Sequence, residues 1–116
     1  MDDCLFCKII KGEIPSKKVY ENQAVYAFED IAPAAPVHVL VIPKKHINSA
    51  ASLAPEDAQL LYELFNVVNE VARIKGIDKS GYRVVTNVGK DAGQSVFHMH
   101  LHVLGGKAFG DRKSVV

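Results

Sequence analysis

The chain has no tryptophan and only two cysteines, Cys4 and Cys7, in its 116 residues. So few cysteines exclude a fold held by a disulfide framework. A chain of this size buries roughly two thirds of the surface it exposes when unfolded, so an apolar core suffices, and dimerisation would add to it. Long apolar runs are also missing. None approaches the roughly 20 residues that span a bilayer, so no membrane partner is expected. Charge of one sign is missing too: 14 Lys and Arg stand against 13 Asp and Glu, for a formal net charge of +1. That balance argues against nucleic acid or an anionic membrane as the main partner. There is no internal repeat, low-complexity tract or linker, so residues 1–116 read as a single domain. The N-terminus, MDDCLFCKIIKGEIP, opens acidic and is broken by charge, which does not suit a signal peptide. The expected location is therefore the cytoplasm. In a reducing compartment a C-x-x-C pair such as Cys4 and Cys7 is redox-active or metal-binding more often than a structural disulfide.

The elements that are present predict an α+β domain: a five-stranded antiparallel sheet, one long helix and a short N-terminal helix. CLFCKIIKG reads as the short helix or turn, closed by Gly12 and Pro15. KKVYENQAVYAFED reads as a hairpin with Glu21, Asn22 and Gln23 at the bend. IAPAAP is interrupted by Pro33 and Pro36, and VHVLVIP is a β-branched strand ended by Pro43. PEDAQLLYELFNVVNEVARIKG is the long helix, with Pro55 at its start and Gly76 at its end. Leu60, Leu61, Leu64, Val68, Val71 and Ala72 recur at helical spacing and predict its core face. GYRVVTN and VFHMHLHVLGG complete the strands.

The last of these carries the chemistry. Alternation along a strand puts His98, His100 and His102 on one face and Met99, Leu101 and Val103 on the other, toward core. Three imidazoles on one face allow three readings: a solvated face, a zinc site using histidines at i and i+2, or catalysis by a neutral imidazole that attacks phosphorus. The preceding loop, NVGKDAGQS, can aim backbone N–H groups and a hydroxyl at an anion. Histidines and loop together favour phosphate chemistry.

HMHLHVLGG resembles the His-x-His-x-His motif of the histidine triad superfamily. CKIIKGEIPS, AFEDIAPAAPVHVLVIPKKHI and VTNVGKDAGQSVFHMHLHVLGG are similar to its Hint branch, the nucleoside phosphoramidate hydrolases, and the likeness runs from about Cys4 to Gly106. It implies a homodimer whose two sheets join into a continuous ten-stranded sheet. It implies that His100 is the nucleophile and forms a nucleotidyl-imidazole, with its other ring nitrogen bonded to a backbone carbonyl. His102 and Ser95 would hold phosphate oxygens, Asn87 and the Gly93-Gln94-Ser95 turn would line the phosphate side, and Asp30 would accept from the ribose hydroxyls. Phe6, Ile9, Ile31 and Leu40 would wrap the base, although Ile9 and Leu40 are equally ordinary core residues. His38 would support the triad, and His98 would complete the catalytic histidine set.

Cys4, Cys7, His46 and His98 resemble the four-ligand zinc set of many bacterial members. Two thiolates and two imidazoles suit tetrahedral Zn²⁺. With all four positions filled by protein, such an ion would be structural and not required for the chemistry. Animal members end in a Trp-Pro-Pro-Gly tail. This chain ends KAFGDRKSVV, so selectivity tied to that tail does not carry over, and residues 104–116 are expected to form a flexible tail. The expected activity is hydrolysis of purine nucleoside 5′-phosphoramidates to the nucleoside monophosphate. The alternatives are hydrolysis of dinucleoside polyphosphates through the same histidine, and nucleotide binding in a regulatory role with vestigial turnover.

Overall fold

A computed structural model describes residues 3–110. Two antiparallel strands, β1 (Lys18–Glu21) and β2 (Val25–Glu29), form the hairpin read from the sequence. Asn22 makes the bend: its side-chain oxygen accepts from the amides of Ala24 and Val25, both at 2.9 Å, the local bonding that suits Asn to turns. The chain then crosses the proline-broken segment into β3 (Val37–Pro43). After the long helix come β4 (Tyr82–Val85) and β5 (Leu101–Gly105). The sheet order is β1-β2-β3-β5-β4, and every neighbouring pair is antiparallel. The short helix, α1 (Leu5–Ile10), and the long one, α2 (Ala58–Ile74), complete the expected set.

α2 does not begin at Pro55 as an α-helix. Pro55–Asp57 forms one 3₁₀ turn that feeds into it. Asp57 fastens that turn, accepting from the Ala54 amide at 2.9 Å and from Lys45 Nζ at 2.6 Å. At the other end Gly76 takes φ +72°, left-handed backbone that favours glycine. The apolar stripe packs largely as its spacing predicts. Leu64, Val67, Val68, Val71 and Ala72 are buried against Val25, Ala27, Val39, Val41, Met99, Leu101 and Val103 of the sheet and its approaches. Leu61 departs from the expectation. It is exposed, and with exposed Tyr62 and Phe65 it forms an apolar strip on the helix flank. Helical spacing sets the angular position, but not how far the sheet extends beneath the first turns.

A second apolar cluster lies on the other face of the sheet: Phe6, Ile9, Tyr26, Phe28, Leu40 and Ile42. It exists because α1 lays Phe6 and Ile9 over β2 and β3. This face carries the site.

β5 is shorter than the sequence suggests. Ladder pairing starts at Leu101, so His98, in a bend, and His100 both precede the strand. The predicted alternation still holds: Met99, Leu101 and Val103 enter the core under α2. The expected tail is corrected at its start. Leu104 and Gly105 finish β5 and pair with β3 and β4. A Cβ on Gly105 would come within 2.6 Å of Ile77 Cδ1, so this glycine serves close packing. The end of the expected tail, 111–116, lies outside the described residues. None of the described helices is long and apolar enough to cross a membrane.

Candidate active site

His100 is buried at the inner wall of a cavity of about 330 Å³. Phe6, Ile9, Ile14, Phe28 and Leu40 supply its apolar lining, and Ser16, Glu29, Asp30, Ser95 and His102 supply polar groups. A larger hollow of about 640 Å³ adjoins it across Pro15, Ser16, Glu29, Asp30 and Ile31, but no histidine lines it. The chemistry therefore belongs to the smaller cavity.

The partners of each imidazole settle which nitrogen carries the proton. His100 Nδ1 lies 2.7 Å from the carbonyl of His98. A carbonyl only accepts, so Nδ1 donates and Nε2 of the neutral ring keeps a lone pair. Phe6 packs edge-on against this ring, with centroids 5.1 Å apart. The tautomer of His102 is set by its neighbour His38. The Ala34 amide donates to His38 Nδ1 at 3.0 Å, which places the proton of neutral His38 on Nε2. That Nε2 sits 2.9 Å from His102 Nδ1 and 3.3 Å from an Asp30 carboxylate oxygen. His38 therefore donates, His102 Nδ1 accepts, and His102 Nε2–H is left as a donor on a ring that lines the cavity. The site thus offers a lone pair from one imidazole beside an N–H from the next, their rings 5.0 Å apart.

Burial pushes the His102 pKa down to about 4, with His100 and His38 acting in the same direction and Asp30 opposing them. The ring is neutral at physiological pH, as the bonding requires. Because the folded value lies below the ordinary 6.5, this ring favours the fold fully above that pH. Its contribution is lost as pH falls from 6.5 toward 4. Urea unfolding should therefore show lower stability at pH 5 than at pH 7. The difference should shrink in His102→Asn; an equal difference in both proteins would contradict the assignment.

His98 has a different job. Its Nε2–H donates to the Pro43 carbonyl at 2.7 Å, which turns an Nδ1 lone pair toward Cys4 Sγ at 3.4 Å and Cys7 Sγ at 3.6 Å. His46 is oriented likewise: Nε2–H donates to Asn48 Oδ1 at 3.1 Å, and Nδ1 faces Cys7 Sγ at 3.4 Å. All four donor atoms lie within 4.8 Å of one another. Burial shifts the pKa of His98 down and is the largest cause raising that of Cys7. A tetrahedron with about 2.3 Å metal–sulfur and about 2.0–2.1 Å metal–nitrogen bonds has edges of about 3.3–3.8 Å, so the observed spacings fit that donor set. Asp30, His38 and His102 also converge within 4.8 Å. They suit a metal poorly, because the Ala34 amide occupies His38 Nδ1 and so puts a proton on the nitrogen that would have to ligate.

Among the expected nucleotide ligands, Phe6, Ile9, Asp30, Ile31, Leu40, Ser95, His100 and His102 all line the cavity. Ile31 is 99% exposed at the rim. Asn87, Gly93 and Gln94 do not line it. The Gln94 side chain is buried and spent on the backbone. Its oxygen accepts from the Gly89 amide at 2.8 Å, and its nitrogen donates to the carbonyls of Asn48 at 2.7 Å and Val96 at 3.1 Å. It braces the loop that presents Ser95. Leu5, Ile14, Ser16, Phe28, Glu29 and Val96 line the cavity without having been singled out. Phe28 stands opposite Leu40 in the β2–β3 register, a pairing the sequence does not display.

The sequence model of the family described as "Scavenger mRNA decapping enzyme C-term binding" matches residues 3–114. The HIT family hydrolase from Clostridium thermocellum superposes with a TM-score of 0.95 at 49% identity, covering 97% of this chain and 98% of that one. The chain belongs to the histidine triad family. Other members of the family agree closely. A histidine triad protein from Clostridium difficile superposes with a TM-score of 0.92 at 46% identity, over 96% of each chain. HitA of Neisseria gonorrhoeae is 47% identical over 105 residues, 90% of this chain and 97% of its own length. The purine nucleoside phosphoramidase of Escherichia coli is 40% identical over 109 residues, 94% of this chain and 92% of its own. This histidine triad protein is a hydrolase-family member with two of the three triad histidines, His100 and His102, lining its cavity.

Proposed function

We propose that the protein hydrolyses purine nucleoside 5′-phosphoramidates through a nucleotidyl intermediate on His100. One observation carries the reading: a neutral imidazole locked with its lone pair on Nε2, at the wall of a cavity that is apolar at one end and polar at the other. The base occupies the apolar end among Phe6, Ile9, Phe28 and Leu40. The ribose hydroxyls bond Asp30, whose one oxygen already accepts from the Ala32 amide at 2.8 Å and is thereby oriented. The α-phosphate lies between Ser95, His100 and His102.

In the first step His100 Nε2 attacks phosphorus, the P–N bond breaks, and the amine leaves with a proton drawn from solvent or the site. His102 Nε2–H donates to a non-bridging oxygen, where charge grows in the transition state. In the second step water attacks the nucleotidyl-imidazole, and the monophosphate leaves with His100 restored. The phosphoramidase name of the Escherichia coli relative supports the P–N substrate. Product analysis tests it. Adenosine 5′-phosphoramidate should give AMP and ammonia faster than a diadenosine polyphosphate gives AMP. The reverse order would favour the polyphosphates, and tight binding without turnover of either would favour a regulatory role.

The Cys4, Cys7, His46 and His98 set is proposed to hold zinc, which would cross-link the N-terminal segment to the sheet. None of its four donors lines the cavity, so the ion would have no step in the reaction. Two free thiols suit a cytoplasmic location.

A homodimer is also proposed. β4 is an edge strand, and the exposed Leu61, Tyr62 and Phe65 strip is joined to it through Tyr82, whose hydroxyl donates to Asn69 of α2 at 2.6 Å. A second copy pairing at β4 would cover both and extend the sheet to ten strands. Sedimentation at micromolar concentration should show twice the 12.7 kDa chain mass. A single species at the chain mass would overturn it.

A further inference from the structure

The β4–β5 ladder stops at Val85 opposite His102. His100 lies two residues beyond it and is held by other means. The next amide upstream, Met99 N–H, donates to the Ile47 carbonyl at 2.6 Å. The His100 ring donates to the His98 carbonyl. The carbonyl of His100 itself accepts from Thr86 Oγ1 at 2.8 Å. The first two partners are backbone carbonyls, present whatever residues stand there. The third is a side chain, on the residue just after β4. Where the ladder runs out, a hydroxyl takes the place of a backbone amide.

We infer that Thr86 is a positioning residue for the nucleophile: its hydroxyl fixes the carbonyl end of His100 and so the direction in which the ring presents Nε2. The inference rests on the reading of His100 as nucleophile. The ring bond to a carbonyl two residues back ties the imidazole to the backbone torsions of residues 98–100. A freed His100 carbonyl can rotate toward another donor, and the ring turns with it. In-line attack needs the reacting atoms about 3–3.5 Å apart and aligned, and a displacement of about 1 Å can cost up to about 100-fold. If the hydroxyl only satisfied a buried carbonyl, its loss would lower stability and leave the chemical step alone.

The test compares Thr86→Val, which keeps the shape and removes the hydroxyl, with Thr86→Ser, which keeps the hydroxyl. The readouts are single-turnover and steady-state rates on adenosine 5′-phosphoramidate, AMP affinity, melting temperature, and the ¹⁵N shifts of the His100 ring. Thr86→Val should lower kcat about tenfold, with KM and AMP affinity changed less than about twofold. Thr86→Ser should recover most of the rate. The wild-type ring should show a single tautomer with the proton on Nδ1, and Thr86→Val a mixture. A kcat for Thr86→Val within about twofold of wild type, a serine variant as slow as the valine one, or a loss confined to the melting temperature would each overturn the inference. Should the valine variant fail to fold, Thr86→Ala is read by the same criteria. Should the wild type leave phosphoramidate intact, the functional reading fails by itself. The ring shifts then decide the role of Thr86, and an unchanged tautomer overturns it.

Discussion

Replacing His100 with glycine should lower phosphoramidate hydrolysis by about four orders of magnitude, because losing the nucleophile closes the two-step path. The fold should survive. The ring lines a cavity that water can enter, and its bond to the His98 carbonyl is local. AMP should still bind within a few-fold of wild type, since Asp30 and the apolar end of the cavity are untouched. His102→Asn should cost less, about 10- to 1,000-fold, because it removes one donor to the phosphate and leaves the nucleophile. Rates and calorimetric affinities measured on the same preparations check both. A glycine variant that turns over near the wild-type rate would end the assignment of His100.

Removing the thiols should act elsewhere. The double substitution Cys4→Ser and Cys7→Ser takes away half of a four-donor set that joins the first turn of α1 and its N-cap to His46 and His98. The loss should be on the order of several kcal/mol of unfolding free energy, because metal binding to such a site is coupled to folding. Protein prepared without chelator should hold about one zinc per chain, and the variant none. The rate per folded molecule should fall by less than about tenfold. A modest loss is expected because the His98 carbonyl orients the His100 ring. A rate that collapses while stability holds would make the metal catalytic and the role given to His98 wrong.

How far the sequence carries this account varies from residue to residue. The period-two pattern from His98 to Val103 separates the side chains packed under α2 from the three histidines, because burial on the α2 side follows apolar character. It overstates the strand. Whether residues 96–100 join the ladder depends on where β4 ends and what the Thr86 hydroxyl bonds, and neither leaves a pattern. The triad resemblance leads to His100, His102, Ser95 and Asp30, all at the cavity. It gives Gln94 only as part of the turn on the phosphate side, and that the side chain is spent on bracing its own loop leaves no mark in the sequence. The roles of the three histidines are the least legible part. They differ through single acceptors or donors, namely Pro43 for His98, the His98 carbonyl for His100 and His38 for His102. Two of those partners, His38 and Pro43, belong to β3, which only folding brings beside the histidines, and the third lies two residues from His100 in the chain.

The central claim is a covalent bond between His100 Nε2 and phosphorus. Rapid acid-free quenching during turnover of a labelled adenosine phosphoramidate, followed by peptide mass spectrometry, tests it most directly. The account predicts an adenylyl mass increment on the peptide spanning His98 to His102, assigned to His100, that forms and decays at rates compatible with kcat. Full turnover with no adduct, or an adduct on any residue other than His100, would contradict it.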